Sequence, residues 1–213
     1  MRSLWEREVA GSNPATPTII NKYIIFEPTS SKMKRLMTFG QYLAEKFNQD
    51  EMEVANKTSR SAGAVSGKAL VPRHVEQLAS KDDDILDFGA GKDAVHAKGL
   101  RAKGFKVTAH EFGSNQREGV HDPDALGRQY HTVYASNVLN VQSSRDMLAR
   151  TLDQIHRSTR PGGRFIGNLP MSPRKFPELD HQMVHDELAK RFETVERVGG
   201  TKKAPVFHAR NPK

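Results

Sequence analysis

The 213-residue chain contains no cysteine. Disulfides, zinc–thiolate clusters and every mechanism built on a cysteine nucleophile are therefore excluded. It also lacks any run of about 18 apolar residues that could span a membrane as a helix, and no apolar stretch has signal-peptide length. The sequence-based expectation is a cytoplasmic protein with no membrane partner. Aromatic residues are scarce at 7%, and the hydrophobic share of 36% allows one core of ordinary domain size with some chain outside it. Acidic residues are absent from 197–213, which hold five Lys/Arg, while residues 1–36 hold six Lys/Arg against three Asp/Glu. Residues 37–196 hold 22 of each, so the net charge of +8 sits in the two ends. Such basic termini could attract a nucleic acid, or simply be solvated tails. Nothing in the sequence sets an oligomeric state.

Residues 1–32 show neither helical nor alternating apolar spacing apart from Ile24-Ile25-Phe26, and Glu6, Glu8 and Glu27 argue against a transit peptide. The expectation for 1–36 is a disordered extension. Gly11-Ser12-Asn13-Pro14 can be encoded by the T-arm sequence common to transfer-RNA genes. A start placed inside such a gene, with translation beginning at Met33 or Met37, would explain it. N-terminal sequencing of the native protein distinguishes the two.

From 38 to 58 the apolar spacing predicts a helix, and 57–67 is a small, polar, glycine-bearing loop. Pro72 starts a short helix carrying Val75 and Leu78. Ile85–Phe88 reads as a buried strand that breaks on Gly89-Ala90-Gly91. A helix over about 94–103 ends at Gly104, and a second strand over 105–110 closes on Glu111. Residues 112–128 are polar and turn-rich. A strand over 132–136 ends in Asn137. Ser143 and Asp146 suggest a capped start to a helix bearing Leu148, Leu152 and Ile155, stopped by Arg160-Pro161-Gly162-Gly163. A strand over 164–169, a helix over about 181–192 and two strands, 194–198 and 206–209, around a Gly199-Gly200 turn complete the chain. Strand–helix alternation predicts an α/β fold, a Rossmann-like, mostly parallel sheet of six to seven strands with helices on both faces and an antiparallel C-terminal hairpin. A ligand belongs at the carboxyl ends of its strands. Residues 37–80 are expected to form N-terminal helices and a loop covering that site, and 81–213 the catalytic domain.

Gly89-x-Gly91-x-x-Ala94, with Glu111 following the second strand, formally fits a dinucleotide fingerprint. Asp87 argues otherwise. A carboxylate at the strand end would repel a diphosphate seated on the helix N-terminus, whereas it suits the ammonium of an amino acid. A compound with adenosine at one end and a charged amino acid at the other is S-adenosylmethionine, and Glu111 could accept from both of its ribose hydroxyls. A nicotinamide-dependent oxidoreductase, or a non-catalytic S-adenosylmethionine binder, are the alternatives.

Leu86-Asp87-Phe88-Gly89-Ala90-Gly91, the strand 105–110 with its terminal Glu111, Tyr134–Val141 and Arg160-Pro161-Gly162-Gly163 follow one another at compatible spacing. In this the chain resembles class I S-adenosylmethionine-dependent methyltransferases. The resemblance implies that Asp87, Gly89, Ala90 and Gly91 lie against the amino-acid part of the cofactor and that Glu111 binds ribose. It further implies that Phe112, Ser136 and Asn137 complete the cofactor site. Asn137 and Asn140, after the fourth strand of the family, would line the methyl-transfer site and orient the acceptor. The family's third strand is short or missing here, since 112–131 show no strand pattern; Asp122 is the candidate adenine contact, a plain Asp122-Pro123-Asp124 turn being the alternative. Lys57–Ser61 together with Val138-Leu139-Asn140-Val141 is similar to a subgroup found near DNA-modification loci.

The acceptor class stays open among metabolite, protein and nucleic acid. Cytosine C5 methylation is disfavoured because it needs a cysteine. Exocyclic amine methylation is disfavoured because Asn137-Val138-Leu139-Asn140 lacks the prolines that usually follow the fourth strand. Asn168-Leu169-Pro170 could form a second wall. His131, His181 and His185 are candidate bases, each more simply a surface histidine. His181 and His185 have metal-ligand spacing without a third ligand, and no metal is expected. Gly63–Ala69 is one residue short of a phosphate loop and has no preceding strand.

Overall fold

The computed structural model describes residues 18–20, 23–25, 36–38, 53–55, 57, 69–170, 176–202 and 204–213. The chain divides into two units, Met1–Gln49 and Asp50–Lys213. The first carries three short strands, β1 (Thr18–Ile20), β2 (Tyr23–Ile25) and β3 (Leu36–Thr38), paired antiparallel in that order. Of the helix expected over 38–58, Thr38 belongs to β3 and 53–55 are helical, while 39–52 lie outside the described residues. So do 58–68, which hold most of the expected loop.

In the second unit, α1 (Leu70–Leu78) precedes β4 (Asp84–Phe88), α2 (Val95–Ala102) and β5 (Lys106–His110). Then come β6 (Tyr130–Ala135), α3 (Arg145–Ser158), β7 (Thr159–Asn168), α4 (His181–Ala189), β8 (Phe192–Thr201) and β9 (Ala204–Pro212). The strands form one sheet in the order β5-β4-β6-β7-β9-β8. β5, β4, β6 and β7 run parallel, and β9 pairs antiparallel with both β7 and β8. Between β5 and β6 the chain makes two 3-10 turns, Gly113–Asn115 and Ala125–Gly127, and no strand. The family's third strand is thus missing, as its polar sequence indicates.

Alternation along the strands sorts the core onto two faces. Leu86, Phe88, Val133, Phe165 and Phe207 pack against Leu148, Leu152 and Ile155 of α3 and Val184 and Leu188 of α4. Ile85, Val107, Ala109, Tyr134, Ile166 and Val206 pack against Val71 and Val75 of α1 and Ala97 and Leu100 of α2. α2 ends in a Schellman turn: Gly104, at φ +88°, donates its N–H to Arg101 O, and Phe105 donates to Leu100 O.

Three boundaries differ from the sequence reading. The cap of α3 is Ser144, whose side chain accepts from Met147 N, while Ser143 contacts Met147 Sδ. Gly199 and Gly200 are not a turn but lie within β8, paired with Val206 and Pro205. Gly199 is there because the His74 ring of α1 occupies the space of a Cβ, and Gly200 has φ +83°. Pro161, Gly162 and Gly163 fall inside β7, where the pairing with β6 shifts register between Tyr130 and Thr132.

A buried carboxylate ties α3 to α4. Glu187 accepts from Lys190 Nζ at 2.7 Å, Arg191 Nη1 at 2.9 Å and Arg145 Nη2 at 3.3 Å. Burial pushes its pKa up, but the hydrogen bonds from Lys190, Arg191 and Arg145 outweigh this and lower it to about 2. A pKa below the unfolded carboxylate value gives stability that is present above about pH 4.5 and lost as pH falls toward 2. Since Arg145 and Lys190 are well exposed, screening leaves about 1–3 kcal/mol. Glu187→Gln is expected to lower the melting temperature at pH 7, with the gap from the wild type closing near pH 2–3 in a pH series of thermal melts.

Candidate functional site

The carboxyl ends of β4, β5, β6 and β7 converge on the turn that follows β4. Gly89 and Gly91 adopt φ +77° and +72°, which L side chains avoid. A Cβ on Gly89 would lie 2.7 Å from Val138 Cγ2, whereas one on Gly91 would enter open space. The turn is held by Gly89 N and Ala90 N, which both donate to His110 O, at 3.0 and 2.9 Å. Glu111 accepts from Gly91 N and, at 2.8 Å, from Phe112 N. From the other side His121, buried and thirty residues along from Gly91, sits with Nε2 2.9 Å from Gly91 O. His121 Nδ1 accepts from Arg117 N at 2.9 Å, which leaves the proton on Nε2 and makes it the donor to Gly91. The Gly91 peptide is therefore clamped at both its N–H and its C=O.

Asp87 sits in β4 on the α1/α2 face, essentially without solvent exposure. Its Oδ2 has no hydrogen-bond partner. Burial raises its pKa to about 7; the adjacent Tyr134 phenol opposes the rise, the Glu111 charge adds to it, and Arg101 and the Ala97 N–H oppose it. Burial likewise raises the Glu111 pKa, against the Phe112 and Gly91 N–H groups that donate to it. Two carboxyls thus flank one glycine turn, and neither is neutralised by a lysine or arginine contact among the described residues. Phe112 stands edge-on to Phe88 and His110, at centroid distances of 5.1 and 4.7 Å. A helical segment at 53–55 reaches the next turn, with Glu53 Oε1 accepting from Ser114 N at 3.0 Å and Oε2 from Ser114 Oγ at 3.1 Å.

After β6, Asn137 takes a left-handed conformation at φ +59°. Its N donates to Asn168 Oδ1 and its Oδ1 accepts from Asn168 Nδ2, both at 2.8 Å. This reciprocal amide pair fastens the end of β6 to the end of β7. Ser136 Oγ and Asn140 Oδ1 are buried without partners beside it. Unpaired buried polar atoms at strand ends are costly unless something else satisfies them.

A family model described as a methyltransferase domain matches residues 34–197. The chain belongs to the methyltransferase-domain family. A comparison with curated protein sequences finds no match. Among solved structures, the chain is similar to the 1,6-didemethyltoxoflavin-N1-methyltransferase of Burkholderia thailandensis, solved with 1,6-didemethyltoxoflavin and S-adenosylhomocysteine. The TM-score is 0.56 at 18% identity, covering 93% of this chain and all of that one. A TehB-like methyltransferase from Corynebacterium glutamicum aligns with TM-score 0.53 at 14% identity, over 76% of this chain and 98% of that one. The N-methyltransferase NodS of Bradyrhizobium japonicum, with S-adenosylhomocysteine, gives 0.51 at 16%, over 67% and 84%. At these identities the likeness is one of fold, the class I methyltransferase sheet.

Within this methyltransferase domain, the structure brings Asp87, Gly89, Ala90, Gly91, Glu111 and Phe112 together around one turn, with Ser136, Asn137 and Asn140 in the neighbouring loop. Asp122 Oδ1 accepts from Asp124 N at 2.9 Å and Oδ2 pairs with Arg128, while its N donates to Ala109 O of β5 at 2.9 Å. His131 lies at the start of β6, accepting from Asp84 N at 3.2 Å, at the end of the sheet away from the site. His185 is exposed beside Asp186. Among the described residues no cluster of histidine and carboxylate could hold a metal. His121 was not visible in sequence, because it lies in a segment without apolar periodicity; Asn168 was expected only as part of a second wall, since its pairing with Asn137 joins strand ends 31 residues apart.

Proposed function

We propose that this chain is an S-adenosylmethionine-dependent methyltransferase whose glycine turn seats the amino-acid end of the cofactor. The observation that supports this most is the buried, unpartnered Oδ2 of Asp87 in β4, two residues before the glycine turn. A carboxylate there meets an ammonium and opposes a diphosphate, which speaks against the oxidoreductase alternative. Glu111, which follows β5 and holds the glycine turn, keeps lone pairs beyond those taken by Gly91 N and Phe112 N with which to accept from ribose hydroxyls, and Phe112 offers an aromatic edge for the adenosine. Asp122 accepts from Asp124 N and pairs with Arg128, and its carboxylate keeps further lone pairs with which to meet adenine. Bound S-adenosylmethionine supplies an electrophilic methyl group on a sulfonium. The protein's part is to align the acceptor with it and exclude water.

Ser136 Oγ and Asn140 Oδ1 are the unsatisfied groups on the loop that would face the acceptor, and the Asn137–Asn168 pair fixes that loop. Asn137 retains an amide N–H donor for an acceptor or cofactor, since its Oδ1 is already used. The test is tritiated methyl transfer from S-adenosylmethionine into separated host small molecules, RNA, DNA and protein. Label in one fraction, lost with Asn140→Ala while cofactor binding persists, is the expected result. Undetectable binding of S-adenosylmethionine would overturn the reading.

A further inference from the structure

Asp87 and Tyr134 are direct register partners in the parallel pair β4–β6, so both side chains leave the sheet on the face covered by α1 and α2. Both are essentially fully buried, at 1% and 0% exposure. Asp87 Oδ2 and the Tyr134 hydroxyl are each without a hydrogen-bond partner. A phenol in this position serves packing no better than phenylalanine would, and its O–H must find an acceptor or remain unsatisfied.

The groups that face the pair come from every neighbouring element. α2 contributes Arg101 and the Ala97 N–H, the end of β5 contributes Glu111, and α1 contributes the apolar Val71 and Val75. Arg101 is already committed through Nε to Val107 O at 2.7 Å. Among the described residues, the carboxylate in direct register with the phenol is that of Asp87.

Resting on the cofactor reading above, we propose that Tyr134 is a positioning residue for cofactor binding, its hydroxyl donating to the Asp87 carboxylate and holding it ionised and aimed at the cofactor's ammonium. The proton balance is simple. In the free protein the carboxyl carries a proton near neutrality; on binding, that proton leaves to solvent, the phenol turns its O–H onto the carboxylate, and the ammonium takes the other side. The electrostatics agree, since the phenol lowers the Asp87 pKa, while burial, and then the charge of Asp87, raise that of Tyr134. Tyr134 is thereby kept as a donor through the neutral range in which Asp87 becomes charged.

Tyr134→Phe removes one oxygen and keeps the ring, and two readouts test it. The first is calorimetric titration with S-adenosylhomocysteine across pH 5.5–8.5. The dissociation constant should rise roughly 10-fold at pH 7, the order of one hydrogen bond to a charged group, and the acid limb of the pH profile should move to higher pH. The second needs no ligand: the fall in melting temperature of the free protein between pH 5.5 and 8.5 should be larger in Tyr134→Phe, because an ionised Asp87 would have lost its donor. An unchanged pH profile in both readouts, with wild-type binding intact, overturns the role of Tyr134 alone. Wild-type protein that fails to bind at any pH would overturn the cofactor reading, while the ligand-free melts would still decide whether Tyr134 supports the Asp87 charge.

Discussion

Asp87→Asn is expected to make the free protein more stable above neutral pH and nearly unable to bind S-adenosylmethionine. A buried carboxyl with its pKa raised from 3.8 to about 7 is protonated in the folded chain and ionised in the unfolded chain between those values. The unfolded state then holds fewer protons, so stability falls as pH rises through that window. The full loss is on the order of 2–4 kcal/mol. Asparagine removes the charge and keeps the shape. Melts at pH 8 should therefore show a gain of about 4–16 °C for a domain of this size, and melts at pH 5 almost none. In the same variant, affinity for the cofactor should drop roughly 100-fold with the loss of a charge-assisted contact. A stabilised protein that no longer binds separates a functional carboxylate from a structural one. Cofactor affinity of the wild type should itself be bell-shaped. It rises with pH as Asp87 ionises near 7, then declines as an α-amino group with pKa of about 8 loses its charge.

Glu111→Ala should cost about 1.5–3 kcal/mol of cofactor affinity, through the lost hydrogen bonds from the ribose hydroxyls to a charged acceptor. The structure adds a complication with a definite sign. Glu111 also holds Gly91 N and Phe112 N, so alanine frees one side of the turn while His121 still holds Gly91 O. Glu111→Gln separates the two roles. It keeps a carbonyl oxygen for the turn but loses the charge, and it should weaken S-adenosylhomocysteine less than alanine does. Adenine, which makes no ribose contact, should bind the wild type and both variants alike if the carboxylate acts on the ribose. Equal weakening of both ligands would assign Glu111 to the turn only.

The sheet was readable because its inner strands are short apolar runs that break on glycine or small polar residues. Ile85–Phe88 and Thr132–Ala135 carry their own boundaries, and Gly104 announces the end of α2 through its left-handed conformation. Boundaries failed where a local signal had two meanings. Gly199-Gly200 resembles a hairpin turn, but Gly199 is set by the imidazole of His74, a contact made across the sheet that no short window contains. Ser143 and Ser144 compete as caps, and the sequence does not rank two adjacent serines. In the site, Asp87, the glycines and Glu111 were legible because each stands at a strand end, where chemistry and position coincide. Tyr134 was hidden for the opposite reason. Inside a strand of core residues, a phenol is indistinguishable from packing until the register with Asp87 is known. His121 and Asn168 act through backbone groups of distant residues, which leaves no local trace.

The most direct test is a crystal structure of the protein with S-adenosylhomocysteine, grown in the presence of equimolar NAD. The expected density is the amino-acid compound, its ammonium within about 3 Å of Asp87 and its ribose hydroxyls on Glu111. A diphosphate lying across Gly89–Gly91 would contradict it.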